Sequence, residues 1–190
     1  MRVRPWNEGA ALLGAVAVLL PAAAPAPAWA AEYLSVQEAP KALFPAADRF
    51  EPKIISLTPA QMQALQARYG VDARSAQWKV LQAWEGGKAL GWVVIDNVVG
   101  KFELITYAVG IKPDGSVAGV EILAYRESHG GEVRLPAWRQ QFVGKNAHAD
   151  LQVGEDIANI SGATLSCTHV TQGIKRIVSV LDLARASGLL

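Results

Sequence analysis

The chain has 190 residues, 51% of them hydrophobic, with 18 basic and 17 acidic side chains, room for one domain and a processing segment. A formal charge of +1 leaves no basic footprint for nucleic acid, so no nucleic-acid partner is expected. The single cysteine, Cys167, excludes an intramolecular disulfide, and the three scattered histidines lack metal-ligand spacing.

The N-terminus reads as an export leader. Arg2 and Arg4 precede an apolar run over residues 9–20, and Ala28-Trp29-Ala30 supplies a small-x-small cleavage signature. The run is shorter than the roughly 20 residues a bilayer span needs. Pro21, Pro25 and Pro27 oppose its extension as a helix. Residues 1–30 are therefore expected to be a cleaved signal peptide, with a retained membrane anchor as the alternative. The mature chain is expected to be periplasmic or otherwise extracytoplasmic. Losing Arg2, Arg4 and Glu8 with the leader leaves 16 basic and 16 acidic residues.

In chain order, residues 35–43 suggest a short helix or turn weakened by Pro40, and residues 53–57 a short strand. Thr58-Pro59 then opens a helix as N-cap and first helical residue. Met62, Leu65 and Tyr69 share a face of that helix, and Gly70 stops it. From Gln77 the period becomes strand-like. Runs over 78–84, 89–99, 102–111 and 117–125 are punctuated by Gly86-Gly87, Gly100-Lys101 and Asp114-Gly115, which predicts successive antiparallel strands. A Gly-rich, polar stretch follows, with a helix expected near 136–142. Val170, Ile174, Ile177, Val178 and Leu181 then recur at helical spacing. The fold class is α+β: an antiparallel sheet of four or more strands flanked by helices, the last of them C-terminal.

Ser161-Gly162-Ala163-Thr164-Leu165-Ser166 lies at the start of that last helix. Ser161 is an N-cap candidate, and Gly162 lets the backbone turn sharply and a ligand approach closely. Hydroxyls of Ser161, Thr164, Ser166 and Thr168 fall on one turn. A helix start offers unpaired N–H groups and a positive dipole end, which favour a phosphate. On these residues alone, an ordinary Ser/Thr-capped helix is the better explanation of the pattern.

The string S-G-A-T-x-S resembles the flavinylation motif of the FMN-binding domain family. That family includes the C subunit of the sodium-pumping NADH:quinone oxidoreductase and the G subunit of the Rnf complex. Two further segments are similar to it in the same order. Glu127-Ser128-His129-Gly130-Gly131-Glu132 resembles the family's E-T-P-G-L-G loop, and the stretch Trp138 to Lys145 its W-x-x-x-F-x-G-K pattern. The chain departs from the family at Ala158, where an acidic residue is usual, at His129, where Pro is usual, and at Glu132, in place of a glycine.

The resemblance implies an FMN-binding domain over residues 77–190, preceded by a helical and extended segment over 31–76. It implies FMN esterified through its phosphate to Thr164 by a flavin transferase that uses FAD. Ser161, Gly162, Ala163, Leu165, Ser166, Glu127, Ser128, His129, Gly130, Gly131 and Lys145 are the implied cofactor-binding residues. Leu165 is expected against the ring; His129 is read either as tuning it or as a solvated loop histidine, and Lys145 either as a surface lysine or as a charge offered to flavin or phosphate. Trp138 is a stacking candidate; Cys167, Trp78, Trp84 and Trp92 are read as packing residues. The implied function is an electron carrier between redox proteins at the membrane. A flavin-dependent reductase subunit and a flavin-free binding module of the same fold are the alternatives.

Overall fold

The structure, a computed structural model, describes residues 31–190; the expected leader lies outside them. Six antiparallel strands form one sheet in the order β1-β6-β5-β4-β3-β2. They are β1 (Ala31–Glu32), β2 (Arg49–Ser56), β3 (Gln77–Glu85), β4 (Lys88–Val99), β5 (Leu104–Ile111) and β6 (Val117–Tyr125). The helices are α1 (Ala39–Leu43), α2 (Pro59–Tyr69), α3 (Pro136–Arg139) and α4 (Thr164–Ala186). The α+β expectation holds. The segment before residue 77 supplies both edge strands, β1 on β6 and β2 on β3, so it shares the sheet of the rest.

Local chemistry fixes the elements. Thr58 and Gln61 form a reciprocal capping box: Gln61 N–H donates to Thr58 Oγ1 at 3.2 Å, and Thr58 N–H to Gln61 Oε1 at 2.9 Å. The sheet reads with period two. Trp92, Val94 and Val98 of β4 and Ile105, Tyr107 and Val109 of β5 join the core beneath α4. Val93 and Ala108 point the other way, into a smaller cluster with Leu43 and Phe44 around α1. Burial on both faces explains the near-continuous apolar runs of the central strands.

Three boundaries differ from the sequence reading. The short strand at 53–57 is the full β2, paired with β3 from Arg49 to Ser56. Edge position lets it carry polar residues and Pro52. The helix at 136–142 is α3 followed by a 3₁₀ turn over Gln140–Phe142. The strand expected from Phe102 begins at Leu104, because the amides of residues 101–103 turn to a side chain instead of a neighbouring strand.

Helix α4 buries Val170, Ile174, Ile177, Val178 and Leu181 against the sheet, as their spacing predicts. It approaches closely at Gly173, where an added Cβ would strike the Tyr107 hydroxyl. Tyr107 is fully buried and its hydroxyl donates to Asp96 Oδ2 at 3.0 Å, so it cannot readily yield. Ala favours helix over Gly by about 1 kcal/mol, whereas overpacking costs about 1–3 kcal/mol. Gly173→Ala is therefore expected to destabilise the fold by up to about 2 kcal/mol in urea titration. In a Tyr107→Phe background the penalty should shrink. A stabilised Gly173→Ala protein would contradict this contact.

Candidate functional site

The site forms where the loop after β6 meets the start of α4. Gly130 has φ +85°, a left-handed conformation that suits glycine, and a Cβ there would clash with Ala163. The small residues of two separate motifs therefore lie against each other. Tyr125, at the end of β6, joins the same seam. Its hydroxyl donates to the His129 carbonyl, which leaves the Ser166 hydroxyl, 3.1 Å away, to donate to it. Ser166 is thus buried and turned inward. Burial pushes the Tyr125 phenol up, opposed by the bond from Ser166.

Helix α4 starts at Thr164. Its N-cap is Ala163 rather than Ser161, and no side chain caps it. The first-turn N–H groups are consequently left for another acceptor. Gly162, at φ +81°, makes the turn into the helix. Thr164 is exposed, and its Oγ1 accepts a hydrogen bond from Asn159 Nδ2 at 3.1 Å. Asn159 is one position from the family's usual acidic site. Ala158 itself is held through its backbone: its N–H donates to Gln141 Oε1 at 2.7 Å and its carbonyl accepts from Trp138 Nε1 at 2.9 Å.

A cleft of about 340 Å³ opens beside Thr164, lined by Glu127, Ser128, His129, Gly162, Ala163, Thr164, Leu165 and Ser166. Two residues not singled out from sequence, Lys101 and Phe102, complete its lining. A second cavity of about 470 Å³ shares Glu127, Ser128 and His129 and adds Gly130, Gly131 and Glu132. Both volumes lie in the roughly 300–1,000 Å³ range of small-molecule sites.

Other expected site residues sit elsewhere. Ser161 and Lys145 line neither cavity. Lys145 pairs with Asp156 at 2.9 Å, an acceptor supplied by the connection between α3 and α4. Trp138 is no stacking platform: it is 5% exposed and its ring meets Phe142 edge-on at 5.0 Å. Its donor to Ala158 makes it a brace under the segment that leads to Thr164. Cys167 is buried, and burial pushes its thiol up, as suits a packing residue. Trp78 and Trp92 are in the core.

Glu127 has an internal task. One carboxylate oxygen accepts the N–H groups of Lys101, of Phe102 at 2.6 Å and of Glu103 at 2.9 Å. Burial alone would raise its carboxyl, but the three backbone donors and the Lys101 ammonium outweigh it and hold the group below the usual value of 4.5. A lowered folded-state value stabilises the fold above the unfolded value and loses that contribution as pH falls through the folded one. Urea titrations below pH 4.5 should therefore show Glu127→Gln losing stability less steeply than the parent chain. Equal acid slopes would contradict the assignment.

An exposed hydroxyl at an uncapped helix start, next to a cleft of this size, fits a group anchored by its phosphate. Among the described residues, no cluster of three or more His, Cys, Asp or Glu is placed to hold a metal ion. Residues 100–179 match the model of the FMN-binding domain family. No curated protein matches the chain. Among solved structures, the chain is similar to NqrC of Shewanella oneidensis, with 19% identity and a TM-score of 0.46 over 73% of this chain and 80% of that one. It is also similar to the C subunit of the Na(+)-translocating NADH-quinone reductase of Parabacteroides distasonis, with 14% identity and a TM-score of 0.45 over 76% and 84%. The matched residues, 100–179, hold the cleft, the loop and Thr164.

Proposed function

We propose that this protein is an exported electron carrier whose single FMN is joined to Thr164 by a phosphoester. The observation that carries the proposal is the placement of Thr164. It is the first residue of α4, exposed, in the lining of the cleft and within the FMN-binding match. The other hydroxyls fit less well. Ser166 is buried and bonded to Tyr125, and Ser161 lies outside the cleft.

Attachment needs a flavin transferase and FAD as donor. Thr164 Oγ1 forms the bond to the phosphorus on the FMN side, the pyrophosphate bond breaks, AMP departs and the hydroxyl proton is released. Asn159 Nδ2, which donates to that oxygen, orients it for attack. The uncapped N-terminus of α4, with its first-turn N–H groups and helix dipole, would hold a negative phosphate on Thr164 favourably.

Bound FMN supplies one- and two-electron transfer. The chain's own residues hold and orient it. Leu165, 46% exposed beside Thr164, offers an apolar surface to the ring. His129, whose Nδ1 lies 2.9 Å from Ser128 Oγ, offers the loop's imidazole edge. A covalent link suits an exported carrier, since cofactor loss by dissociation is removed and binding energy is needed only for orientation. Redox proteins at the membrane are the proposed partners. No helix among the described residues is long and apolar enough to cross a membrane, so association would rest on those partners or on residues 1–30.

Co-expression with a flavin transferase should give a yellow protein whose intact mass is raised by one FMN. Thr164→Ala should lose the mass and the colour completely. Ser161→Ala should keep both, and Asn159→Ala should slow their appearance. A Thr164→Ala protein that retains the added mass would overturn the attachment site.

A further inference from the structure

The turn between β4 and β5, residues 100–103, carries an unusual side chain. Phe102 is 76% exposed, more than any other large hydrophobic residue among the described residues. An aromatic ring left in water forgoes about 1.5–3 kcal/mol of burial. Yet the turn beneath it is held from two sides. Glu127, on the loop after β6, takes the amides of residues 101–103 on one oxygen. His169, on α4, has Nδ1 2.6 Å from the Val99 carbonyl and 3.1 Å from the Gly100 carbonyl, so that nitrogen bears the proton and donates. Gly100 permits the arrangement, because a Cβ there would fall 2.6 Å from Glu127 Oε1. Both anchors belong to elements that build the cleft, and His169 is on the helix that begins with Thr164.

We propose that residues 100–103 form a fixed aromatic cover for the isoalloxazine ring, with Phe102 as the covering side chain and Glu127 and His169 as positioning residues. The inference rests on the flavin reading of the same cleft. Phe102 and Leu165 both line the cleft as its exposed apolar surfaces, and the occupant they suit is a flat aromatic ring tethered next to Leu165. Glu127 acts through the turn: its carboxylate is spent on backbone amides and keeps Phe102 in place.

Two measurements test this. In the unflavinylated full chain, Glu127→Ala should speed amide exchange at Lys101, Phe102 and Glu103 by about tenfold or more, since each loses a charge-assisted bond. His169→Ala should speed it less, and the core of α4 should stay protected. If Glu127→Ala fails to fold, Glu127→Gln, which keeps a neutral acceptor, should show a smaller acceleration confined to the same three amides. Unchanged exchange in the folded variant overturns the anchoring. In the flavinylated chain, with the FMN mass verified on each variant, Phe102→Ala and Glu127→Ala should each raise iodide quenching of flavin fluorescence roughly twofold, as one ring face is uncovered. Equal quenching in Phe102→Ala and the parent, with the mass present, overturns the cover and leaves the flavin assignment standing. A parent chain without the added mass overturns both.

Discussion

Two stretches of backbone distant in sequence meet at Gly130 and Ala163, and the site exists because neither brings bulk to that meeting. A larger residue at either position would push the loop after β6 away from the start of α4 and open the seam. Tyr125 seals it from below, tying the His129 carbonyl to Ser166. With the seam closed, Thr164 is left facing outward at an uncapped helix end, and the Gly-containing loop forms one wall beside it.

The remainder of the fold serves that junction. The sheet provides the platform on which α4 lies, close enough at Gly173 to fix its height above Tyr107. Trp138 and Gln141 grip Ala158 by its carbonyl and amide, and so deliver the chain to Asn159 and Thr164 at a defined angle. Lys145 and Asp156 serve the same connection: Asp156 also accepts the amides of Leu151, at 3.1 Å, and Gln152, at 2.8 Å. Conspicuous residues of the W-x-x-x-F-x-G-K stretch thus act on the segment before Thr164 and leave the cleft to others.

Much of this was legible in the sequence where local rules dominate. Thr58-Pro59 and Gly70 bracket α2, paired glycines mark the β3–β4 hairpin, and the spacing of Val170 to Leu181 gives the buried face of α4. The S-G-A-T string lies beside the cleft, and Thr164 and seven of the eleven other residues expected at the site line it. What sequence could not supply depends on long-range contact. A glutamate in a loop carries no mark that its carboxylate will accept three amides some 24–26 residues earlier. Phe102 read as a strand residue because its hydrophobicity was informative and its turn was not. Ser161 looked like a cap because its residue type favours caps, but Gly162 turns the chain one step later. Lys145 looked like a partner for phosphate, and only the fold shows Asp156 beside it.

The central claim is a single covalent bond, and peptide fragmentation by tandem mass spectrometry reads it directly. The full chain, made in a host that supplies FAD and a flavin transferase, should yield one peptide spanning the start of α4 with FMN located on Thr164. The same peptide recovered wholly unmodified, or with the flavin on another residue, would contradict the account.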